Sequence, residues 1–358
     1  MINYEPVLIK ISAVAAEEIA WLWRPYLPLG KVTILDGLPG TGKTYFALAL
    51  AAALSSGSPI FNEPTGEPAK VIYMTREDGL ADTIKPRLDK MGATGENILI
   101  LKGSTPFGST DNLSDQPLSE RGKDYRPFNL SQLEVLEAAL EQTWPRLVII
   151  DNITSYLGPK IGMNQAQDIA ALLNAISDLA HQHQAAFLLI RHPAKQIRDF
   201  TIYSGAGSYA FAGVVRSMLL IGRDPQDPDT SVMVHNKYNL SGQGPSVSFG
   251  ITEDGIFEWR GYSAVTASQL TAPDAVKEKI SQNVKQLAKE WLLGLLKDGP
   301  LASKMAYRMA GSAGISKRTL ERAKEELRIS SLKSAEGWFW ILPPDAGDLG
   351  GLGGLGEN

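Results

Sequence analysis

VTILDGLPGTGKT, residues 32–44, is the stretch that decides how the rest of the chain is read. Residues 32–36 are mostly apolar or β-branched, the composition of a buried strand. They run into Gly37, four further residues, and then Gly42-Lys43-Thr44, a fit to G-x-x-x-x-G-K-[ST]. Residues 43–54 follow without glycine or proline and predict a helix. In a strand–loop–helix setting, glycines let backbone N–H groups close around phosphates, and the helix N-terminus adds the positive end of its dipole. Gly37, Leu38, Pro39, Gly40, Thr41, Gly42, Lys43, Thr44 and Tyr45 are therefore expected to hold ATP. Lys43 is expected on the β/γ oxygens and the Thr44 hydroxyl on Mg²⁺.

Working outward, short β-rich runs alternate with helical patterns. Strands are expected at 32–36, 71–75, 98–101, 147–151, 186–191 and 215–221, and helices at 43–56, 79–91, 130–143 and 165–184. That alternation predicts an α/β fold with a mostly parallel central sheet covered by helices on both faces. Runs at 231–235, 246–251 and 256–259, separated by turn residues, predict an antiparallel extension. Residues 102–128 and 192–213 read as long irregular loops. The expected organisation is an ATPase domain over 1–261, a small-residue linker over 262–276, a helical module over 277–343 and a glycine-rich tail over 344–358.

Composition narrows the class. The 358 residues are 44% hydrophobic and 21% charged, as in ordinary globular proteins, and with no cysteine there is no disulfide or thiolate metal site. The N-terminal residues are interrupted by Glu5, Lys10, Glu17 and Glu18, so no signal peptide is expected, and the apolar run 46–54 is too short for a membrane span. These features predict a cytoplasmic protein without membrane contact. The net charge of −4 is unevenly spread. Residues 277–343 carry 13 Lys/Arg against 7 Asp/Glu, so an acidic remainder of −10 carries a module of +6. A basic module on an acidic body points to a polyanionic partner.

The hydrolytic chemistry needs acids at other strand ends. RLVIID, 146–151, is an apolar strand ending in one carboxylate, and Asp151 is expected to hold Mg²⁺ with Thr44. Asn152 follows it, so the group that positions the attacking water must come from elsewhere. VIYMTREDG, 71–79, supplies Glu77 as the expected general base, with Asp78 as the alternative. FLLIRHPAK, 187–195, places Arg191, His192 and Lys195 at another carboxyl end, where ligands of open α/β sheets bind. His192 is expected to hydrogen-bond the γ-phosphate.

An acid one strand from the P-loop, a lone aspartate on its own strand and a polar group at the next strand end resemble the RecA-like P-loop ATPases. The order of EEIAWLWRPYLPLGKVTILDGLPGTGKT, YMTREDG, LVIIDNI, RHPAK, SGAGSYAFAGVVRSMLLIGRD and HNKYNLSGQGPSVSFGI most resembles the RepA-type hexameric helicases, AAA-domain ATPases of plasmids and phages. The resemblance implies that Arg216 reaches into a neighbouring subunit's site as a finger, with Lys237 as a second trans-acting cation. It also implies that loop 192–213, with Lys195, senses single-stranded DNA in a ring channel, with residues 152–166 as a second channel-facing candidate. A homo-hexamer, with a primase or replication initiator as possible partner, follows from the same resemblance.

At the C-terminal side, 277–297 predicts an amphipathic helix, 302–310 a short helix, and Ser316 the N-cap of another. Ile315, Leu320, Ala323 and Leu327 are expected inward, and Lys317, Arg318, Glu321, Arg322 and Glu325 outward. With SSLKSAEGWFWILP as a wing, this predicts a winged helix-turn-helix presenting Lys317, Arg318 and Arg322 to duplex DNA. The expected function is Mg²⁺-dependent ATP hydrolysis coupled to DNA translocation. A recombination loader and an ATP-switched DNA-binding regulator are the alternatives.

Overall fold

The computed structural model describes residues 7–105, 126–158, 165–192, 206–272, 274–313, 315–334 and 337–343. The elements run β1 (Trp21–Trp23), β2 (Leu27–Pro28), β3 (Val32–Gly37), α1 (Lys43–Ser56), β4 (Val71–Thr75), α2 (Lys85–Lys90) and β5 (Ile98–Ile100). They continue through β6 (Gly103–Ser104), β7 (Arg126–Pro127), α3 (Leu133–Thr143), β8 (Leu147–Asp151), α4 (Ala166–His183), β9 (Ala186–Arg191) and α5 (Ala206–Val214). Next come β10 (Ser217–Arg223), β11 (Thr230–Tyr238), β12 (Ser246–Ile251), β13 (Phe257–Ser263) and α6 (Ala267–Thr271). The last are α7 (Asp274–Leu296), β14 (Leu301–Ala302), α8 (Ser303–Ser312), α9 (Lys317–Glu326), β15 (Ser330–Ser334) and β16 (Gly337–Ile341).

Nine strands form one sheet in the order β13-β12-β11-β10-β3-β9-β8-β4-β5. From β10 to β5 every pairing is parallel, and β11, β12 and β13 continue it antiparallel. This is the mixed α/β architecture of the RecA-like P-loop fold, with β3 at its centre. Alternate residues of the parallel strands enter two different cores. Leu35, Tyr73, Ile149, Leu188 and Ile190 face α1 and α2, whereas Ile34, Ile72, Val148, Phe187 and Leu189 face α3, α4 and α5. The sequence FALALAAAL is apolar or small on every side, and α1 is buried almost all round between the sheet and an aromatic layer. In that layer Phe46 lies 5.5 Å from Phe249, 5.8 Å from Trp259 and 6.1 Å from Trp23, centroid to centroid.

Several expected boundaries differ. The 192–213 loop ends in helix α5, because its Tyr-Ala-Phe-Ala run buries Ala210, Phe211 and Ala212 against the α4 side of the sheet; residues 193–205 lie outside the described residues. The strand expected at 215–221 is displaced to β10, with Arg216 just before it. The helix expected over 79–91 opens with a π-turn at Leu80–Ile84 and becomes α-helical only at Lys85, beside Pro86. Residues 262–276 are largely not a linker. β13 extends to Ser263, a Thr266/Gln269 capping box starts α6, Leu270 buries against β10 and β11, and α7 begins at Asp274. The 102–128 insertion has β6 and β7 paired at its base, with residues 106–125 outside the described residues.

The C-terminal residues have their own core of Ala288, Leu292, Leu296, Ala306, Leu320, Ala323 and Trp340. Three helices pack with a small antiparallel sheet of order β14-β16-β15, and Ser316 caps α9 by accepting from Thr319 N at 3.2 Å. Glu321 is half-buried rather than outward, taking the Tyr307 hydroxyl hydrogen bond; burial and that carboxylate push the Tyr307 pKa up to about 12. Arg322 is also half-buried. Among the described residues no helix is long and apolar enough to cross a membrane.

Because Phe46 joins α1 to three aromatic rings with no exposed surface, Phe46→Ala is expected to cost about 3–5 kcal/mol of stability. Urea unfolding followed by tryptophan fluorescence checks this through a lowered midpoint at unchanged slope.

Candidate active site

The parallel register fixes which side chains can meet. Asp36 pairs with Arg191 across β3 and β9, and Thr75 with Asp151 across β4 and β8. The residues leaving the carboxyl ends of these strands therefore converge at one level. The loop after β3 needs glycine at two points. A Cβ on Gly37 would lie 2.5 Å from the Ile221 carbonyl, and Gly42 combines φ +92° with a Cβ position 3.0 Å from the Phe249 ring. Lys43 Nζ donates to the Gly37 and Leu38 carbonyls at 2.7 and 2.8 Å, and Thr41 Oγ1 donates to the Leu38 carbonyl. Ser231 Oγ donates to the Thr41 carbonyl at 2.8 Å and Arg223 to the Gly40 carbonyl at 2.6 Å, so β10 and β11 brace the loop from outside.

Asp151 is buried. Its Oδ2 accepts from Thr44 Oγ1 at 2.8 Å and from Tyr73 Oη at 2.9 Å, whereas its buried Oδ1 has no hydrogen-bond partner among the described residues. Burial raises the Asp151 pKa, and the Thr44 and Tyr73 hydrogen bonds oppose that rise. Burial, and next the Asp151 charge, push the Tyr73 hydroxyl well above its ordinary pKa, so it stays a donor. Desolvation lowers Lys43 to about 8 despite Asp151, Asp36 and Glu77 nearby.

The structure brings Glu77 and His192 to the same place. Ligand atoms of Glu77, Asp151 and His192 lie within 4.8 Å of one another, and His192 Nε2 is 3.6 Å from Glu77 Oε2. Asn152 donates from Nδ2 to Glu77 Oε1, while its own Oδ1 is fixed by Ser155 N at 2.9 Å and by the Thr154 hydroxyl. The residue that sequence reasoning passed over as merely not an acid thus aims one. Asp78 turns away and pairs with Arg87 at 2.8 Å, whose guanidinium lies 4.5 Å from the Tyr45 ring centroid. That flat cation–aromatic stack beside the loop was not foreseen. Neither was the buried bidentate pair of Arg191 with Asp36, at 2.7 and 2.6 Å, which makes Arg191 a strand anchor. The second carries a weak signal, a charge at the end of each of two apolar strands.

Other expected residues lie elsewhere. Arg216 is exposed at the start of β10, at the end of the sheet opposite the P-loop. Lys237 is close by, donating to the Ala212 carbonyl, and burial and then Arg216 lower its pKa. Lys195 lies outside the described residues. Lys317 sits 5.3 Å from the Tyr307 ring, and Arg318 reaches Asp227 and Asp229.

A family model described as an AAA domain (AAA_25) matches residues 3–197, more than half of the chain, and the chain belongs to that family. Over 130 residues it is 33% identical to the circadian clock oscillator proteins KaiC of Thermostichus vulcanus and of Thermosynechococcus vestitus. That stretch is 36% of this chain and 22% of each relative, so the chain spans about a fifth of the curated relatives it matches. Fold, motifs and family together make this a RecA-like P-loop ATPase.

Two outcomes follow. Asp36→Asn strips the buried Arg191 of its counter-charge and is expected to cost about 3–5 kcal/mol, read by chemical denaturation. Because Lys43 titrates near 8, nucleotide binding above that pH must take up a proton. Affinity is expected to fall up to about tenfold per pH unit beyond 8, and calorimetry in buffers of different ionisation enthalpy checks the uptake.

Proposed function

We propose that the chain is a Mg²⁺-dependent ATPase that acts on DNA as a homo-hexameric ring, like the RepA-type replicative helicases of plasmids and phages that its sequence resembles. The observation that carries the chemistry is the meeting of Asp151, Thr44, Glu77 and His192 beside the glycine loop. Lys43 and the loop amides grip the phosphates. The donor set fits a hard cation: a hydroxyl, a carboxylate and, on that carboxylate, a buried oxygen with no partner among the described residues. When bound, Mg²⁺ neutralises charge building on the phosphate oxygens. Glu77, aimed by Asn152, accepts the proton of the attacking water, and His192 hydrogen-bonds the γ-phosphate. The Arg87–Tyr45 stack offers a flat face for the base.

Arg216 lies roughly five residues, about 16 Å along the strand, from the level of the P-loop, too far to serve its own site. It serves a neighbour's, with Lys237 beside it, which makes hydrolysis a property of the ring. Single-stranded DNA threads the channel against loop 192–213 and Lys195. The C-terminal residues act as a winged helix, supported by the order α7, β14, α8, α9, β15, β16 and by the Ser316 cap, and offer Lys317, Arg318 and Arg322 to duplex DNA. A primase or replication initiator is the partner such a ring works with. The likeness to proteins named for an oscillator favours a second reading, an ATP-timed DNA-binding switch.

Steady-state ATP hydrolysis with and without single-stranded DNA tests the motor reading. Stimulation by DNA is expected, and Glu77→Gln is expected to lower turnover about 10²- to 10⁴-fold while ATP still binds. Slow turnover indifferent to DNA supports the switch, and full activity in the variant removes Glu77 from its role. Lys43→Ala and Arg216→Ala are each expected to be inactive alone and to regain activity when mixed, since a hybrid interface holds one intact P-loop and one intact finger. No recovery on mixing counts against a finger acting across subunits.

A further inference from the structure

The turn between β10 and β11, Asp224-Pro-Gln-Asp-Pro-Asp229, carries three carboxylates in six residues, and its two prolines restrict the backbone. It grows from Arg223, which donates to the P-loop carbonyl of Gly40. Asp227 is buried, accepts from Thr230 Oγ1 at 2.7 Å and lies 3.8 Å from Arg260. Both Asp227 and Asp229 are turned on one cation at the start of α9. Arg318 Nε is 3.6 Å from Asp227 Oδ1, and Arg318 Nη1 pairs with Asp229 Oδ2. A cavity of about 1020 Å³ lies between the turn and α9, with Asp224, Arg260, Tyr262, Lys317 and Arg318 in its wall. The contact joins a body (residues 1–276) of charge −7 to a module of +6.

We propose that this acidic turn is an internal occupant of the module's polyanion-binding face, seated on Arg318 where a DNA phosphate would otherwise lie. The proposal rests on the reading that the module binds duplex DNA. Arg318 and Asp229 are about half exposed, so their pair adds little to folding stability. Carboxylates held at that guanidinium nevertheless repel any phosphate brought to it, and Arg318 must leave them before it can bind one. Masking of this kind lowers apparent affinity by the fraction of molecules in which the face is open.

The test is binding of the full chain to a short fluorescent duplex at low salt, comparing wild type, Asp229→Arg and Glu134→Arg. Glu134 is exposed on α3, and its substitution makes the same charge change away from the module. Asp229→Arg is expected to bind about fivefold more tightly than wild type, with Glu134→Arg changing little. Adding Arg318→Ala is expected to erase that gain. Equal gains from Asp229→Arg and Glu134→Arg, or none from either, overturn the masking while leaving DNA binding in place. Absence of duplex binding by every form, Asp229→Arg included, overturns both the masking and the DNA-binding reading of the module.

Discussion

In a parallel ladder a one-residue slip sends every side chain to the opposite face, and the site of this ATPase depends on four adjacent strands keeping step. β3, β9, β8 and β4 pair in a register that ends Asp36 opposite Arg191 and Thr75 opposite Asp151. The loops leaving those strands then deliver Lys43, Glu77, Asn152 and His192 to one level. The buried Asp36–Arg191 pair pins the register at the point where the glycine loop departs, because a slip would leave two charges without partners in an apolar layer.

Burial sets the electrostatics of the site. The same desolvation acts on Lys43 and Asp151 in opposite directions, lowering the amine and raising the carboxylic acid. Each is closer to neutrality than in water and has more to gain from a ligand that restores its charge. Under the proposed function, polyphosphate does this for Lys43 and Mg²⁺ for Asp151, so the two would bind cooperatively. Glu77 is different. Its side chain is about half exposed and held by Asn152, and in the proposed role of base it would benefit from that access to water.

The uneven charge of the chain gains a structural expression in the Asp224–Asp229 turn. One end of that short segment adjoins the P-loop through Arg223, and the other meets the start of α9 through Arg318. The excess of acid in the body and of base in the module thus faces itself across one contact as well as facing solvent.

The sequence by itself determined the phosphate loop, the strand–helix alternation, the lone acid of β8 and the Ser316 cap, because each depends on local backbone chemistry or on a period of a few residues. It also put the second acid at Glu77, with Asp78 as the alternative. Only the tertiary structure decided that Glu77 meets Asp151 while Asp78 pairs with Arg87, since two adjacent residues point apart and neither a helix residue nine positions on nor a strand end on another segment of the sheet can be read as a partner locally. It likewise decided that Arg191 anchors β9, that residues 262–271 pack onto the sheet, and that Arg318 is paired rather than free. Small-residue composition predicts a linker, and charge at a helix start predicts a solvated cation. What overrode the first is burial against strands far off in the chain, and the second a pair of carboxylates on a distant turn.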